Sequence, residues 1–212
     1  MDSDFIIQEK PDSLSWEAIS QVLKAAHKKN ADKGIYMGHP FWPTAKLEEL
    51  VTKENGKLFV VYHNNLLVGT GAVIFRERNL WFGSGTFAFN CLGAVLPEYA
   101  GKGIYKELTL TRERYALAKG IDRIYFDTNE KNARMIEISK KNGFEMVDYS
   151  TYPDHNNVIM VKWLKSQPFS HRYCHFMFLK IKYKNLIRKY LYRVFSYCCR
   201  PFKGTRDEAL SD

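Results

Sequence analysis

The chain has 212 residues, enough for one domain of ordinary size or for one domain with an appendage. Hydrophobic residues make up 45% of the chain and aromatic residues 15%, which argues against a disordered polypeptide. The net charge of +9 is concentrated at one end, because residues 165–212 hold 11 Lys and Arg against 3 Asp and Glu. Residues 1–164 are therefore nearly neutral, and only the C-terminal end is expected to contact an anionic surface.

The sequence shows no targeting or membrane-spanning signal. Its acidic start lacks the basic and then apolar order of a signal peptide, and no uncharged apolar stretch approaches the ~18 residues of a transmembrane helix. The four cysteines have no metal-ligand spacing, so we expect no metal site. A reduced cytoplasmic setting follows as the expectation, with a peripheral position at the inner membrane face as the alternative.

The first 96 residues predict strands and helices that alternate irregularly. A short strand (residues 4–9) precedes a helix that starts at Ser15, and a loop rich in Gly, Pro and aromatic residues (30–44) leads to a second helix (45–54) with Thr44 as its N-cap. An apolar hairpin follows around the turn at His63-Asn64-Asn65. Residues 76–85 are predicted to connect it to a strand over residues 86–96.

A strand, a glycine turn and a helix start follow one another between Gly93 and Lys106 (G-A-V-L-P-E-Y-A-G-K-G-I-Y-K). Pro97 ends the strand because it has no N–H to donate, and Gly101 and Gly103 precede a helical pattern that begins at Ile104. Glycines let the backbone approach an oxyanion closely, and the free N–H groups of a helix's first turn point at it. This order is typical of an anion-binding site, although an ordinary strand-to-helix turn has it too.

The remaining elements predict a helix to residue 119 closed by Gly120, and then a strand over residues 121–126 that ends at Asp127. A short helix over residues 133–141 has Asn132 as N-cap and Asn142-Gly143 as C-cap. Residues 144–149 and 158–164 are predicted to form a closing antiparallel pair. Spacing alone therefore indicates a mixture of helices and strands, of the α/β class.

Two segments together carry a family resemblance. V-L-P-E-Y-A-G-K-G-I (residues 95–104) is followed some thirty residues later by N-A-R-M-I-E-I-S-K-K-N-G-F (residues 132–144), and this pair resembles the coenzyme-A half of the GNAT superfamily, the Gcn5-related N-acetyltransferases. The resemblance covers roughly residues 4–164. It implies a GNAT fold: a mixed central sheet of six to seven strands with flanking helices, splayed at the cofactor wedge. We therefore expect a GNAT domain over residues 1–164 and a basic aromatic appendage over residues 165–212, helical to about residue 199.

The resemblance implies an N-acetyltransferase in which a primary amine attacks the thioester of acetyl-CoA directly. It implies that backbone N–H groups bind the diphosphate, those of Gly101, Lys102, Gly103, Ile104, Tyr105 and Lys106. It further implies that backbone N–H groups of Gly93, Ala94 and Val95 bind the thioester carbonyl, and that the Asn132 side chain binds the pantetheine arm. The chain departs from the family at Ala100, where Gln or Arg is usual, and at Tyr105, where Gly or Ala is usual. We expect weaker binding from Ala100, and Tyr105 fits only if its side chain points away from the phosphates.

Two catalytic positions are implied by the resemblance. An alkyl ammonium with a pKa of ~10.4 needs a base at neutral pH, and Asp127 matches the position of a general-base glutamate in some family members, acting through a water because it is one methylene shorter. A turn or a lysine partner is the structural alternative for Asp127. Ser139 stands where the family commonly has the tyrosine that protonates the leaving thiolate, so we expect a slower enzyme or one that uses Tyr149 or Tyr152 instead.

The aromatic loop borders the acceptor side in GNAT folds, so the resemblance implies substrate contacts from Tyr36, His39, Phe41 and Trp42, with Tyr36 and His39 as second-choice bases. A lid packed on the core is the alternative for this loop. The departures at Ala100, Tyr105 and Ser139 also leave open a protein that binds acyl-CoA without turnover.

The C-terminal tail is aromatic and basic together. Apolar side chains follow helical spacing, with basic residues beside or opposite them: Leu179, Tyr183, Leu186, Ile187, Tyr190, Leu191, Val194 and Cys198, with Lys182, Lys184, Arg188, Lys189 and Arg193. Such an amphipathic helix is typical of a membrane surface, which favours an acyltransferase acting there on a lipid or envelope amine. Docking on the domain or on a second copy is the first alternative, and nucleic acid is the less favoured one.

Overall fold

The computed structural model describes residues 5–35, 38, 41–166 and 168–198, with the side chains of residues 192–198 left out. Within these residues the chain forms seven strands and five helices, joined by one 3₁₀ turn (Pro97–Tyr99): β1 (Phe5–Glu9), α1 (Trp16–Asp32), α2 (Thr44–Lys53), β2 (Lys57–His63), β3 (Leu66–Leu80), β4 (Gly83–Val95), α3 (Ile104–Ala118), β5 (Arg123–Asn129), α4 (Ala133–Lys141), β6 (Glu145–Thr151), β7 (Asn156–Trp163) and α5 (His171–Cys198). The predicted α/β order and the C-terminal helix are confirmed.

All seven strands form one mixed sheet in the order β1-β2-β3-β4-β5-β7-β6. Every neighbouring pair is antiparallel except β4 and β5, which are parallel. Helices α1 and α3 both pack on β3 and β4 but do not pack on each other, so they lie on opposite faces of the sheet. Right-handed crossovers from β4 to β5 and from β5 to β6 place α4 on the same face as α3. The sheet is thus covered on both faces, and the core lies between it and the helices.

Local sequence signals fix several of the boundaries. The Ser15 hydroxyl accepts a hydrogen bond from the backbone N–H of Ala18 at 3.3 Å and starts α1. Asn64 and Asn65 take positive φ angles of 49° and 63° at the β2–β3 turn, as the hairpin prediction requires. Gly143, with a φ of +84°, follows Asn142 at the end of α4, so the predicted C-cap is confirmed.

Three local predictions are wrong. Residues 76–85 are not a connector: β3 and β4 continue through them to a turn at Trp81 and Phe82, because the guanidinium groups of Arg76 and Arg78 stack on strand aromatic rings at 4.9 and 5.0 Å. Thr44 is the first residue of α2 rather than its N-cap. Asn132 occupies the N-cap position of α4, but its amide does not cap the helix and instead donates to the Thr128 hydroxyl at 3.2 Å.

Strand β4 carries a bulge near its C-terminal end. Thr70 of β3 pairs with Ala94 and Ala72 pairs with Cys91, so β4 holds one extra residue there, and Leu92 takes a φ of +50°. On one face of the sheet, His27 Nε2 of α1 lies 3.0 Å from the Gly93 carbonyl oxygen. Because that oxygen can only accept, Nε2 carries the proton. Burial lowers the pKa of His27, so the ring stays neutral and secures the bulge.

Beyond this bulge, β4 and β5 separate. Their parallel pairing covers only Ala88 with Ile124 and Phe89 with Tyr125. Strand β4 nevertheless stays paired with β3 up to Val95, and β5 stays paired with β7 up to Asn129. The carboxyl ends of the two central strands are therefore parted, which is the splayed sheet that the family resemblance implies.

Helix α5 packs along β6, the edge strand of the sheet. Cys174 and Phe178 are buried there, and the Asn185 amide donates to the backbone carbonyl of Tyr149 in β6. This contact covers an otherwise open strand edge. Docking of the tail on the domain is thus observed for one face of the helix. The predicted single apolar stripe is wrong in part, because Leu179 and Leu186 pack on the core while four of its members are exposed: Tyr183, Ile187, Tyr190 and Leu191.

The neutral His27 generates a prediction about stability and pH. The unfolded chain binds a proton on this ring near pH ~6.5, whereas the folded chain resists protonation, so the free energy of unfolding falls as the pH drops below that value. In His27→Gln, the amide keeps a donor for the Gly93 oxygen but does not titrate. Urea unfolding at pH 7.5 and 5.5 is expected to show a larger loss for the wild type than for His27→Gln; equal losses would contradict this role.

Candidate active site

A narrow cavity of about 80 Å³ lies between the parted ends of β4 and β5. Its lining comes from both strands and from helices on both faces of the sheet: Leu23 and His27 of α1, Tyr105 and Arg112 of α3, and Met135 of α4. Because helices on both faces contribute, the cavity crosses the sheet. We call it the wedge. It joins the face that carries α3 and α4 to the face that carries α1 and α2.

The glycine turn between β4 and α3 is open. Gly101 and Gly103 take φ angles of +82° and +81°, and a Cβ added to either would meet no atom within 4 Å. Gly103 occupies the N-cap position of α3, and no side chain caps that helix. Lys102 and Lys106 are exposed, whereas Ile104 is buried and fixes the first turn to the core. The free N–H groups and the open space fit a diphosphate.

Tyr105 points away from this turn and into the wedge. A Cβ added to Gly93 would lie 3.3 Å from Tyr105 Cε2 and 3.5 Å from its hydroxyl oxygen. The ring therefore leaves the space beside Gly101 and Gly103 open. This is the direction that the family resemblance requires of a bulky side chain at this position. The same ring narrows the wedge on the α3 side.

The backbone of β4 presents its groups alternately to β3 and to the wedge. The N–H of Leu96 donates to the Val68 carbonyl in line with β3 at 2.9 Å, so the alternation of an antiparallel ladder directs the N–H of Val95 to the opposite edge, where β5 has separated. The same alternation directs the N–H of Ala94 to β3. Gly93 lies in the bulge, with its carbonyl bound to His27. Of the three residues predicted for the thioester carbonyl, Val95 has its N–H on the wedge side.

Asp127 lies within β5 and lines the wedge. Its carboxylate is exposed and accepts a hydrogen bond from the Asn157 amide at 2.9 Å. Strand alternation places Asp127 on the same face as Asn129, which lines the large cavity described below. The predicted base is thus next to the wedge on the face opposite α3.

The two predicted residues of the α4 region are buried. Asn132 ties the start of α4 to β5 through Thr128. The Ser139 hydroxyl donates to Met135 Sδ at 3.7 Å, one turn earlier in the same helix, and it is Met135 that lines the wedge. Ser139 therefore does not belong to the lining of the wedge.

A cavity of about 640 Å³ opens beside the end of β5. The segment between α1 and α2 contributes Phe41 and Trp42, and the segment between β6 and β7 contributes residues 153–155, with Asn156 at the start of β7. The half-buried Trp42 ring carries Lys46 Nζ above it at 3.9 Å. Tyr36 and His39, the other predicted substrate contacts, lie outside the described residues. The volume is that of a small-molecule site.

Charged groups line the polar end of this cavity. Glu130 accepts hydrogen bonds from Asn156 and Tyr149, and Lys182 of α5 lies 3.6 Å from its carboxylate. Burial opposes ionisation, but these partners prevail and hold the pKa of Glu130 below its usual range. Burial and the neighbouring carboxylate raise the pKa of Tyr149, so its hydroxyl stays protonated and committed to Glu130. Lys189 of α5 also lines the cavity and donates to Tyr152 O and Asn156 Oδ1.

Among the residues of the wedge that were not predicted from the sequence, Arg112 and His27 each leave a signal there. Arg112 falls on the row formed by Ile104, Leu108 and Ala116, the side of α3 that faces the core. A charged residue in a buried row is rare unless it is paired or functional. His27 likewise follows Leu23 by one helical turn on the buried side of α1.

Comparison with solved structures finds the same fold in several acetyltransferases. An acetyltransferase from Streptococcus agalactiae is 20% identical with a TM-score of 0.60, over 76% of this chain and 99% of that one. A GNAT family acetyltransferase from Elizabethkingia anophelis, solved with acetyl-CoA bound, is 13% identical with a TM-score of 0.57, over 77% and 100%. The ribosomal-protein-S18-alanine N-acetyltransferase of Escherichia coli is 15% identical with a TM-score of 0.56, over 77% and 96%.

Curated protein sequences contain no significant match to this chain. The family model described as the acetyltransferase (GNAT) family matches residues 16–144, more than half of the chain. This match spans α1 to the end of α4, and so includes the glycine turn, the bulge and both strands of the wedge. The chain therefore belongs to the GNAT acetyltransferase family.

Proposed function

We propose that this protein transfers the acetyl group of acetyl-CoA to a primary amine by direct attack. One observation carries the proposal: the parted strands leave a wedge that is lined from both faces of the sheet, with the glycine turn at the start of α3 on one face and a 640 Å³ cavity beside the end of β5 on the other. In this proposal the diphosphate of acetyl-CoA is held at the turn, and its thioester reaches through the wedge toward an amine in the cavity. The acetyl-CoA bound to the Elizabethkingia anophelis relative supports the choice of donor.

The diphosphate is held mainly by the backbone. The N–H groups from Gly101 to Lys106 surround the open space at the start of α3, and the positive end of the helix dipole adds to their attraction. Ala100 supplies no side-chain contact. Asn132 orders the start of α4 beside the wedge, and we assign it to the pantetheine arm.

The thioester carbonyl is polarised from β4. A backbone N–H that is fixed before the reaction stabilises the charge developing on the oxygen at little reorganisation cost. Val95 has its N–H directed to the wedge, and the bulge at Leu92 and Gly93 sets its position. We assign Val95 the main role, and Gly93 and Ala94 the support of this strand.

Asp127 removes the amine proton through a water. Its exposed carboxylate lies beside the wedge on the face of the large cavity, and the Asn157 amide holds one oxygen in place. Trp42 and Phe41 supply an apolar wall for the acceptor. A protein that binds acyl-CoA without turnover is the competing hypothesis, and release of free CoA thiol distinguishes the two.

Asp127→Asn is expected to lower kcat about 100-fold at neutral pH, because general base catalysis contributes ~10² to 10⁴-fold. The dissociation constant of CoA is expected to stay unchanged, because the carboxylate does not contact the glycine turn. Release of CoA thiol, measured against a panel of primary amines, gives the rate, and calorimetry gives the affinity.

Asp122→Asn is the matched control, because Asp122 precedes the opposite end of β5 and pairs with Arg123. A wild-type protein that binds CoA but releases no thiol with any amine would overturn the proposed activity. Equal rates for the wild type and Asp127→Asn would overturn only the assigned base.

A second proposal concerns location, and the exposed face of α5 favours it. Phe176, Tyr183, Ile187 and Tyr190 form one stripe and are 58–68% exposed. Lys180, Lys184 and Arg188 are exposed in the row beside it, and the sequence has no Asp or Glu between residues 165 and 206. An apolar stripe beside a row of cations is complementary to an anionic bilayer surface. Within the described part of the chain, no helix has the length and apolarity to cross a membrane.

The wild-type protein is expected to sediment with phosphatidylglycerol vesicles but not with phosphatidylcholine vesicles. Replacement of Lys180, Lys184 and Arg188 by Gln is expected to lower binding at least ~10-fold, since each cation near an anionic surface adds ~1 kcal/mol. The variant with Ile6→Ser and Leu66→Ser is the control, because these exposed apolar residues lie on β1 and β3. A wild-type protein that ignores both vesicles but dimerises in sedimentation velocity would instead support self-association through α5.

A further inference from the structure

The reaction proposed above leaves a thiolate that must take up a proton. The tyrosine that the family resemblance implies for this step is replaced by Ser139. Ser139 is 4% exposed, and its hydroxyl is turned toward Met135 within α4. Tyr149 is committed to Glu130, and Tyr152 stacks on His155 at 4.6 Å, in the segment between β6 and β7. None of these hydroxyl groups lines the wedge.

Two hydroxyl residues line the wedge, Tyr105 and Thr128, and of these Tyr105 carries the more acidic phenol, whereas the alkyl hydroxyl of Thr128 accepts from the Asn132 amide. Tyr105 lies on the first turn of α3, and its oxygen would be 3.5 Å from a Cβ built on Gly93. Gly93 belongs to the bulge that sets the direction of Val95. The phenol therefore lies next to the backbone on which the thioester is expected to rest, on the α3 side, whereas Asp127 and the amine cavity lie on the other face.

Arg112 lies on the same helix, about two turns after Tyr105. Its guanidinium is 3.3 Å from a Cβ built on Gly71, so a larger residue there would crowd it, and 3.6 Å from one built on Gly93, which is ordinary contact. The side chain is 1% exposed and lines the wedge. It donates to the Leu108 carbonyl and the Thr109 hydroxyl at 3.2 Å, and no carboxylate pairs with it among residues 5–35, 38, 41–166 and 168–191. Its charge is 5.8 Å from the centre of the Tyr105 ring.

A buried guanidinium without a carboxylate partner is costly to the folded state. The same charge becomes favourable when negative charge develops next to it in a site of low dielectric constant. Its two neutral hydrogen bonds orient it but do not neutralise it. The wedge thus holds a phenol hydroxyl and a fixed cation together, beside the strand to which the proposed reaction assigns the thioester.

We propose that Tyr105 is the general acid of this enzyme and that Arg112 stabilises the charge of the leaving group. This assignment depends on the proposed acetyl transfer. The amine nitrogen bonds to the thioester carbon, the carbon–sulfur bond breaks with its electron pair on sulfur, and the Tyr105 O–H gives its proton to that sulfur. The proton that the amine loses through Asp127 and water passes to solvent, from which Tyr105 is reprotonated.

Tyr105→Phe keeps the ring against Gly93 and removes only the hydroxyl. Its kcat for thiol release is expected to fall about 100-fold, because general acid catalysis contributes ~10² to 10⁴-fold, while the dissociation constant of CoA stays within about threefold. Tyr115→Phe is the matched control, since Tyr115 lies on the same helix and packs on Phe59 and Phe75. A wild-type rate for Tyr105→Phe would overturn the assignment, and so would a loss confined to CoA affinity.

Arg112→Met gives a second readout that a structural role would not produce. Removing an unpaired buried charge is expected to leave the melting temperature unchanged or higher, whereas kcat falls. The double variant Tyr105→Phe, Arg112→Met is expected to be no slower than the slower single variant, because both groups act on one charge. Losses of kcat that multiply fully in the double variant, or a lower melting temperature of Arg112→Met, would overturn the role of Arg112.

A wild-type protein without thiol release would overturn the acetyl transfer itself, and a failure in the variants alone would overturn only this assignment.

Discussion

The pairing of the two central strands stops early, and the rest of the site depends on this constraint. Ala88–Ile124 and Phe89–Tyr125 join β4 to β5, and beyond them each strand is held only by its outer neighbour. A backbone polar group that is buried without a partner costs ~1–3 kcal/mol. The inner edge of β4 beyond Phe89 therefore favours a ligand that can supply the missing hydrogen bonds. A pantetheine arm has amide groups suited to this.

The residues around the wedge maintain that opening at a cost to the folded state. Leu92 has a φ of +50°, a region in which non-glycine residues are strained, and the neutral ring of His27 holds the adjacent carbonyl. Arg112 is a buried cation with no carboxylate partner among the described residues. Costs of this kind are typical of active sites, where stability is exchanged for a prepared arrangement of groups. Their presence together at one opening in the sheet supports a catalytic role more strongly than any single residue.

Helix α5 adds a component that the sequence match to the family, which ends at residue 144, does not include. One face of α5 covers the open edge of β6 through Phe178 and Asn185, and Lys189 contributes to the wall of the large cavity. The opposite face is apolar and cationic. The helix thus contributes both to the wall of the candidate acceptor cavity and to the surface that we propose contacts a membrane.

Much of the fold could be predicted because local signals were strong. The asparagine turn at residues 64–65 and the Asn142-Gly143 cap fix backbone geometry through the residues themselves. The continuation of β3 through Arg76 and Arg78 could not be predicted, because it depends on rings contributed by β4 and β5, and a charge-rich segment gives no local sign of that contact.

The site could be predicted only in part. The direction of Tyr105 and the burial of Arg112 depend on Gly71 and Gly93, which are distant in sequence and meet α3 only in the folded sheet.

The central claim is that backbone amides of β4 and of the glycine turn hold one CoA thioester. Hydrogen–deuterium exchange with and without acetyl-CoA measures those amides directly. We expect slower exchange in residues 93–95 and in residues 101–106 when acetyl-CoA is present, with no change in β1. Unchanged exchange in both segments at saturating acetyl-CoA would contradict the claim.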